Sequence, residues 1–182
     1  MKKHLILGIT LGFLIASCSN PVKKNQLSKV DSLYALLDSA SMLLSRVNMD
    51  TVNQRLQTYY DVNKKVSEHY QEYRNEENWA YVCSYQNVRK PFKTLVKNYI
   101  KYQAEVDSSK KQLENLKHDI KKNLLKENEF DGCFAIESQS INALTFKIKK
   151  NIESVQHQLK NFDTIHPYML RLIESYNSGK EK

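Results

Sequence analysis

Residues 92–123 read FKTLVKNYIKYQAEVDSSKKQLENLKHDIKKN, and this stretch decides the architecture. Phe92, Tyr99, Val106, Leu113 and Ile120 recur every seven positions, with Leu95, Tyr102, Ser109, Leu116 and Asn123 at the second position of the same repeat. Side chains spaced this way line one side of an α-helix and demand a facing helix to cover them. A second seam lies in the same chain, where Ile141, Ile148, Val155, Phe162, Met169 and Tyr176 also recur by seven, supported by Leu144, Ile152, Leu159, Ile165 and Leu172. Glu127 to Gly132 interrupt the pattern between them, and Asp131-Gly132 is a turn signal. The expectation is an antiparallel helical hairpin with Gly132 at its tip and arms of about 54 Å for about 36 helical residues each.

Outward from the hairpin, Pro91 and Pro167 stand at nearly equal distances from that turn, so both arms are expected to bend or end together at its base, where the earlier helices pack. Leu27, Val30, Leu33, Tyr34, Leu37, Ala40, Leu44 and Val47 form one helical face, predicting a first helix that ends near Asn48. Asp50 or Thr51 then caps a second, with a face of Val52, Leu56, Tyr59, Val66, Tyr70 and Tyr73. That helix either stops at the polar cluster around Asn75 or runs on to Lys90. The fold class is all-α: an elongated antiparallel bundle, or coiled-coil hairpin, with additional N-terminal helices. Spare faces on the first two helices leave homo-oligomerisation open.

Composition supports few, long elements. The 182 residues include 4 Gly and 3 Pro, and Gly8 and Gly12 sit in an apolar leader. Walker loops, dinucleotide fingerprints and nucleophile elbows need closely spaced glycines, which this chain lacks. Frequent turn residues for a β-sandwich or barrel are missing too. With 41% hydrophobic and 26% charged residues the chain has a folded composition, and one domain is expected over 27–182.

The N-terminus reads as an address. Lys2 and Lys3 precede an apolar run, Leu5 to Ile15, too short to span a bilayer, and Ile15-Ala16-Ser17-Cys18 follows. This constellation resembles the lipobox of bacterial membrane lipoproteins, with Ile at its first position where Leu is commonest. The resemblance implies that residues 1–17 are removed, that Cys18 carries a thioether-linked diacylglycerol, and that its new amine is acylated. Residues 18–26 then form the lipidated cysteine and a short tether. Ser19 stands where the family places an inner-membrane retention aspartate, which implies the outer membrane; no acidic run follows Cys18, so a periplasm-facing protein is expected. Loss of Lys2 and Lys3 from 28 basic residues, against 20 acidic, leaves a net charge of +6.

No set of nucleophile, base and orienting group falls on one inward face, so no enzymatic activity and no cofactor are expected. Glu114 with His118 and Glu153 with His157 have the i to i+4 spacing of metal pairs, but their heptad positions turn them to solvent, and His69 reads as a surface residue. Cys83 and Cys133 fall at opposite ends of the hairpin, too far apart for a disulfide. Tyrosines concentrate between Tyr59 and Tyr102, where most fill seams and Tyr60, Trp79, Tyr81 and Tyr85 are the candidate partner surface. Lys93, Lys97 and Lys101, with Lys90, form a candidate basic face, and Lys110, Lys117 and Lys121 lie farther along the same helix. The expected partners are the membrane, through the acyl chains, and another envelope protein; nucleic acid does not suit an exported chain. The expected role is a structural or interaction module, with capture of an extended peptide or glycan between helices as the alternative.

Overall fold

The computed structural model describes residues 20–68 and 76–179, and its elements are α1 (Pro21–Ser45), α2 (Met49–Glu68), α3 (Glu76–Gln86), α4 (Arg89–Lys122) and α5 (Glu127–Gly179). Cys18 and the leader, as well as His69, Tyr70 and Tyr73, lie outside the described residues. The fold is an all-α bundle of three rods: α1 followed by α2, α3 followed by α4, and α5 alone.

Cross-helix contacts fix the directions. Lys23 Nζ donates to the Lys121 carbonyl (2.7 Å), Tyr34 Oη to the Lys110 carbonyl (3.0 Å) and Tyr99 Oη to the Leu44 carbonyl (3.2 Å), so α1 runs antiparallel to α4. Lys29 meets Asp131 at 3.8 Å and Arg55 meets Asp163 at 2.9 Å, so α1 and α2 advance along α5 in its own direction. The earlier helices therefore lie along both arms of the hairpin, and do not gather at its base. Their apolar faces, Val30 to Leu44 and Val52 to Val66, are covered by α4 and α5 of the same chain. Lys110–Asp38 (2.7 Å) and Lys117–Asp31 (2.5 Å) tie α1 to α4; half-exposed, they fix register more than they stabilise.

Helix ends explain where the chain departs from expectation. Asn20 caps α1, its Oδ1 accepting from the Val22 amide at 3.0 Å, and Pro21 at the first helical position suits the fixed φ there. The helix therefore begins at Pro21 and leaves no tether through residue 26. Asn48, not Asp50 or Thr51, caps α2, accepting from the Thr51 amide at 2.9 Å. Pro91 lies in the first turn of α4, where it withholds an amide from the Asn87 carbonyl, while Val88 keeps helical angles (φ −63°, ψ −35°). The chain bends there without reversing: Tyr85 and Tyr81 meet α5 at His166 and Tyr168, beyond the part covered by α4.

The hairpin turn sits earlier than Asp131-Gly132. α4 closes with Asn123 in the left-handed region (φ 55°), the Leu124 amide donating to the Asp119 carbonyl (2.9 Å) and the Asn123 amide to the Ile120 carbonyl (3.2 Å). Glu129 Oε2 then accepts from the Lys126 amide (2.9 Å) and starts α5, with Phe130 buried in its first turn. These two caps outweigh the Asp-Gly signal, and Gly132 is an interior helical residue with nothing within 4 Å of where a Cβ would stand. Gly132→Ala is accordingly expected to stabilise the fold by about 0.5–1 kcal/mol, read as a higher urea midpoint at unchanged slope; a lower midpoint would mean the glycine is needed for its conformation.

Helix α5 runs for 53 residues, about 80 Å, and passes through Pro167 without ending. Pro167 costs one helical hydrogen bond, yet Phe162, Ile165, Met169 and Ile173 on either side are buried and hold the helix to its neighbours. Both predicted seams are interior: Phe92, Leu95, Tyr102, Val106, Leu113, Leu116 and Ile120 on α4, and Ile141, Leu144, Ile148, Ile152, Val155, Phe162, Ile165 and Met169 on α5. Among the described residues no helix is long and apolar enough to cross a membrane.

Candidate functional site

The predicted tyrosine surface divides. Tyr60 is 38% exposed and Tyr81 is 39% exposed, whereas Trp79 is partly buried and packs on the core. Tyr81 stacks on Tyr168 at 4.0 Å, so one face of its ring is committed to the α3–α5 seam. Tyr85 is buried, which corrects its assignment as an exposed partner residue. Tyr85 stands seven residues before Phe92 and Val88 seven before Leu95, so both continue the α4 seam inward across Pro91.

Tyr85 belongs instead to a cluster that joins three rods. Its ring lies 5.4 Å from Tyr59 of α2 and 5.5 Å from Phe162 of α5, and its hydroxyl is 3.0 Å from His166 Nδ1. His166 stacks on Phe162 at 4.7 Å, and the Arg55 guanidinium lies 5.2 Å from the other partner in this stack, the Phe162 ring, while bonding Asp163. Burial, reinforced by Tyr59 and opposed by Arg55, pushes the Tyr85 hydroxyl far above its ordinary range, so it stays protonated. Burial and then Arg55 lower His166 below 6.5 against the pull of Asp163, which favours the neutral imidazole. The unfolded chain therefore binds a proton more readily than the folded one, and stability is lost as pH falls through 6.5 toward the lower folded value. The urea midpoint of the native protein is expected to drop as the pH falls below 6.5, and to change less in His166→Gln, which keeps a hydrogen-bonding side chain for Tyr85. The cluster has no nucleophile and opens into no pocket among the described cavities; it braces the bend.

Lys90, Lys93, Lys97 and Lys101 are exposed on α4 as their spacing predicts, and the first three line a depression of about 540 Å³ with Gln86, Arg89, Thr94 and Asn98. Lys101 is paired with Glu105 at 3.6 Å. Lys110 and Lys117 leave the stripe, because Asp38 and Asp31 draw them across to α1. Glu114, His118, Glu153 and His157 are exposed, with Glu153 against Lys149 and His157 against Asn161. Among the described residues no three His, Cys, Asp or Glu side chains are placed to hold a metal ion. Cys83 and Cys133 are free thiols; the contact of Tyr85 with His166 places Cys83 about 50 Å along α5 from Cys133.

A surface that seam counting missed runs between α1 and α5. Leu36 (39% exposed), Met42 (52%) and Phe146 (65%) line a groove of about 690 Å³ with Ala40, Leu43 and Thr145. Arg46 and Lys149 stand at its edge, and Lys150 lies 6.0 Å from the Phe146 ring. The sequence carried a sign of it: Leu36-Leu37 and Leu43-Leu44 are paired leucines seven apart, and only Leu37 and Leu44 are buried in the core. The first leucine of each pair, Leu36 and Leu43, widens the apolar stripe beyond what one neighbouring helix covers.

No protein-family model matches the chain, and no curated protein or solved structure is detectably similar to it.

Proposed function

We propose that this protein is a lipid-anchored, periplasm-facing rod of the bacterial cell envelope that serves as a structural or protein-interaction module, held at the outer membrane by acyl chains on Cys18. The anchor rests on the leader and its lipobox-like residues Ile15 to Cys18. The interaction role rests on one observation, the open α1–α5 groove. Three large apolar side chains exposed together on an otherwise well-filled bundle are the arrangement that another protein's apolar face covers. A partner helix or extended segment with an apolar stripe and acidic flanks fits, since the groove's charged rim is Arg46, Lys149 and Lys150. No catalytic role is assigned to any residue, and no cofactor is invoked.

The same groove favours a second reading, in which the bundle transiently captures extended peptides in a chaperone-like manner. Photo-cross-linking in cells separates the two. A photoreactive side chain at Met42 or Phe146 is expected to give one discrete adduct, and one at Ile100, exposed on α4, none. A ladder of many adducts from the groove supports peptide capture. Equal yield from all three positions contradicts both.

A further inference from the structure

The cap at Asn20 and the turn at Asn123 carry an inference about how the rod meets the membrane, and it rests on the lipid anchor proposed above. Only Ser19 and Asn20 separate Cys18 from Pro21, the first residue of α1, so a lipidated Cys18 lies within about 11 Å of the helix start. The α4–α5 turn is at the same end of the bundle. Lys23 binds it there, donating from Nζ to the Lys121 carbonyl (2.7 Å) and to Asn123 Oδ1 (3.2 Å).

The chemistry of this end suits a phospholipid surface. Leu124, at the crest of the turn, is 64% exposed, and Val22 in the first turn of α1 is 42% exposed. Lys24, Lys121, Lys122 and Lys126 surround them, all exposed and without a carboxylate in ion-pair reach among the described residues. The acids at this end are Asp119, Glu127, Glu129 and Asp131; Glu129 is engaged with the Lys126 amide and Asp131 with Lys29. An exposed leucine ringed by lysines beside a lipidated residue suits acyl chains beneath anionic headgroups. We infer that the α4–α5 turn is the membrane-seated foot of the rod, with Leu124 entering the acyl boundary and Lys121, Lys122, Lys126 and Lys24 meeting anionic phospholipid headgroups. The lysines then lie within a Debye length, about 8 Å, of the lipid surface. The rod stands on its end, and the α1–α5 groove remains above the membrane, open to a partner.

Tryptophan depth measurements test this, because Trp79 is the only native tryptophan and lies near the opposite end, beside residues of α5 about 60 Å from the turn. The acylated mature protein is placed in vesicles containing anionic phospholipid and brominated lipid, and its acylation is confirmed by intact mass. Emission from the Leu124→Trp, Trp79→Phe double variant is expected to be quenched severalfold more than emission from the native protein, and less so when Lys121, Lys122 and Lys126 are also replaced by Gln. Quenching at both positions means that the rod lies flat, and quenching at neither means that the turn stays clear of lipid; either overturns the inference while leaving the anchor standing. Absence of the acylated mass overturns the anchor and the inference together.

Discussion

Replacing Phe162 with alanine is expected to lower the stability of the folded chain by about 3–5 kcal/mol, the range for removing a fully buried phenylalanine. Phe162 is 0% exposed and lies where the bend in the α3–α4 rod, the α2 helix and α5 converge. Its ring supports Tyr85 at 5.5 Å, His166 at 4.7 Å and the Arg55 guanidinium at 5.2 Å, so the cavity is bordered by groups that cannot collapse without loosening the Tyr85–His166 hydrogen bond. A marginal fold of this size has roughly 5–15 kcal/mol in all, so the variant approaches unfolding at ordinary temperature. The urea midpoint and slope measure it. A loss below about 1 kcal/mol, the size of an ordinary surface change, contradicts the packing described.

The second large effect is chemical. Cys18→Ala is expected to abolish metabolic labelling of the protein with a fatty acid, because alanine has no thiol to form the thioether and the acylation that follows depends on that step. One myristoyl chain gives only marginal membrane binding, at about 0.8 kcal/mol per buried methylene, while two or more hold a protein in place. Label incorporation is the decisive readout. An uncut leader, with its apolar run from Leu5 to Ile15, keeps the variant in the membrane fraction even without acylation. Equal labelling of both proteins contradicts the assignment.

The helices and their inward faces were legible because seven-residue periodicity reports burial directly: Phe92, Leu113, Ile148 and Phe162 stand in the core where the count placed them. The boundaries were less so. Asn123 ends α4 by accepting a left-handed backbone angle, and Glu129 begins α5 by reaching back to an amide, two local solutions that together displaced a stronger-looking Asp-Gly turn. Pro91 and Pro167 look alike in sequence and behave differently. Pro91 falls in the first turn of a helix and marks a bend, while Pro167 lies inside a helix whose buried neighbours carry it through. Tyr85 continues the Phe92 seam by one heptad and is buried with it, whereas His166, one turn beyond Phe162, gives no apolar signal and is found only through its contact with the Tyr85 hydroxyl. The open groove was missed for a related reason. A heptad count identifies the side chains that face one partner, and Leu36, Met42 and Phe146 lie outside that set.

Attachment of this bundle to a membrane at Cys18 underlies both its proposed place in the envelope and the seating of its α4–α5 turn. The intact mass of the protein extracted from cell membranes tests it directly. The predicted result is a chain beginning at Cys18 whose mass exceeds that of residues 18–182 by a diacylglycerol thioether and one amide-linked acyl chain. A mass matching an unmodified chain, whether it retains the leader or begins at another residue, would contradict it.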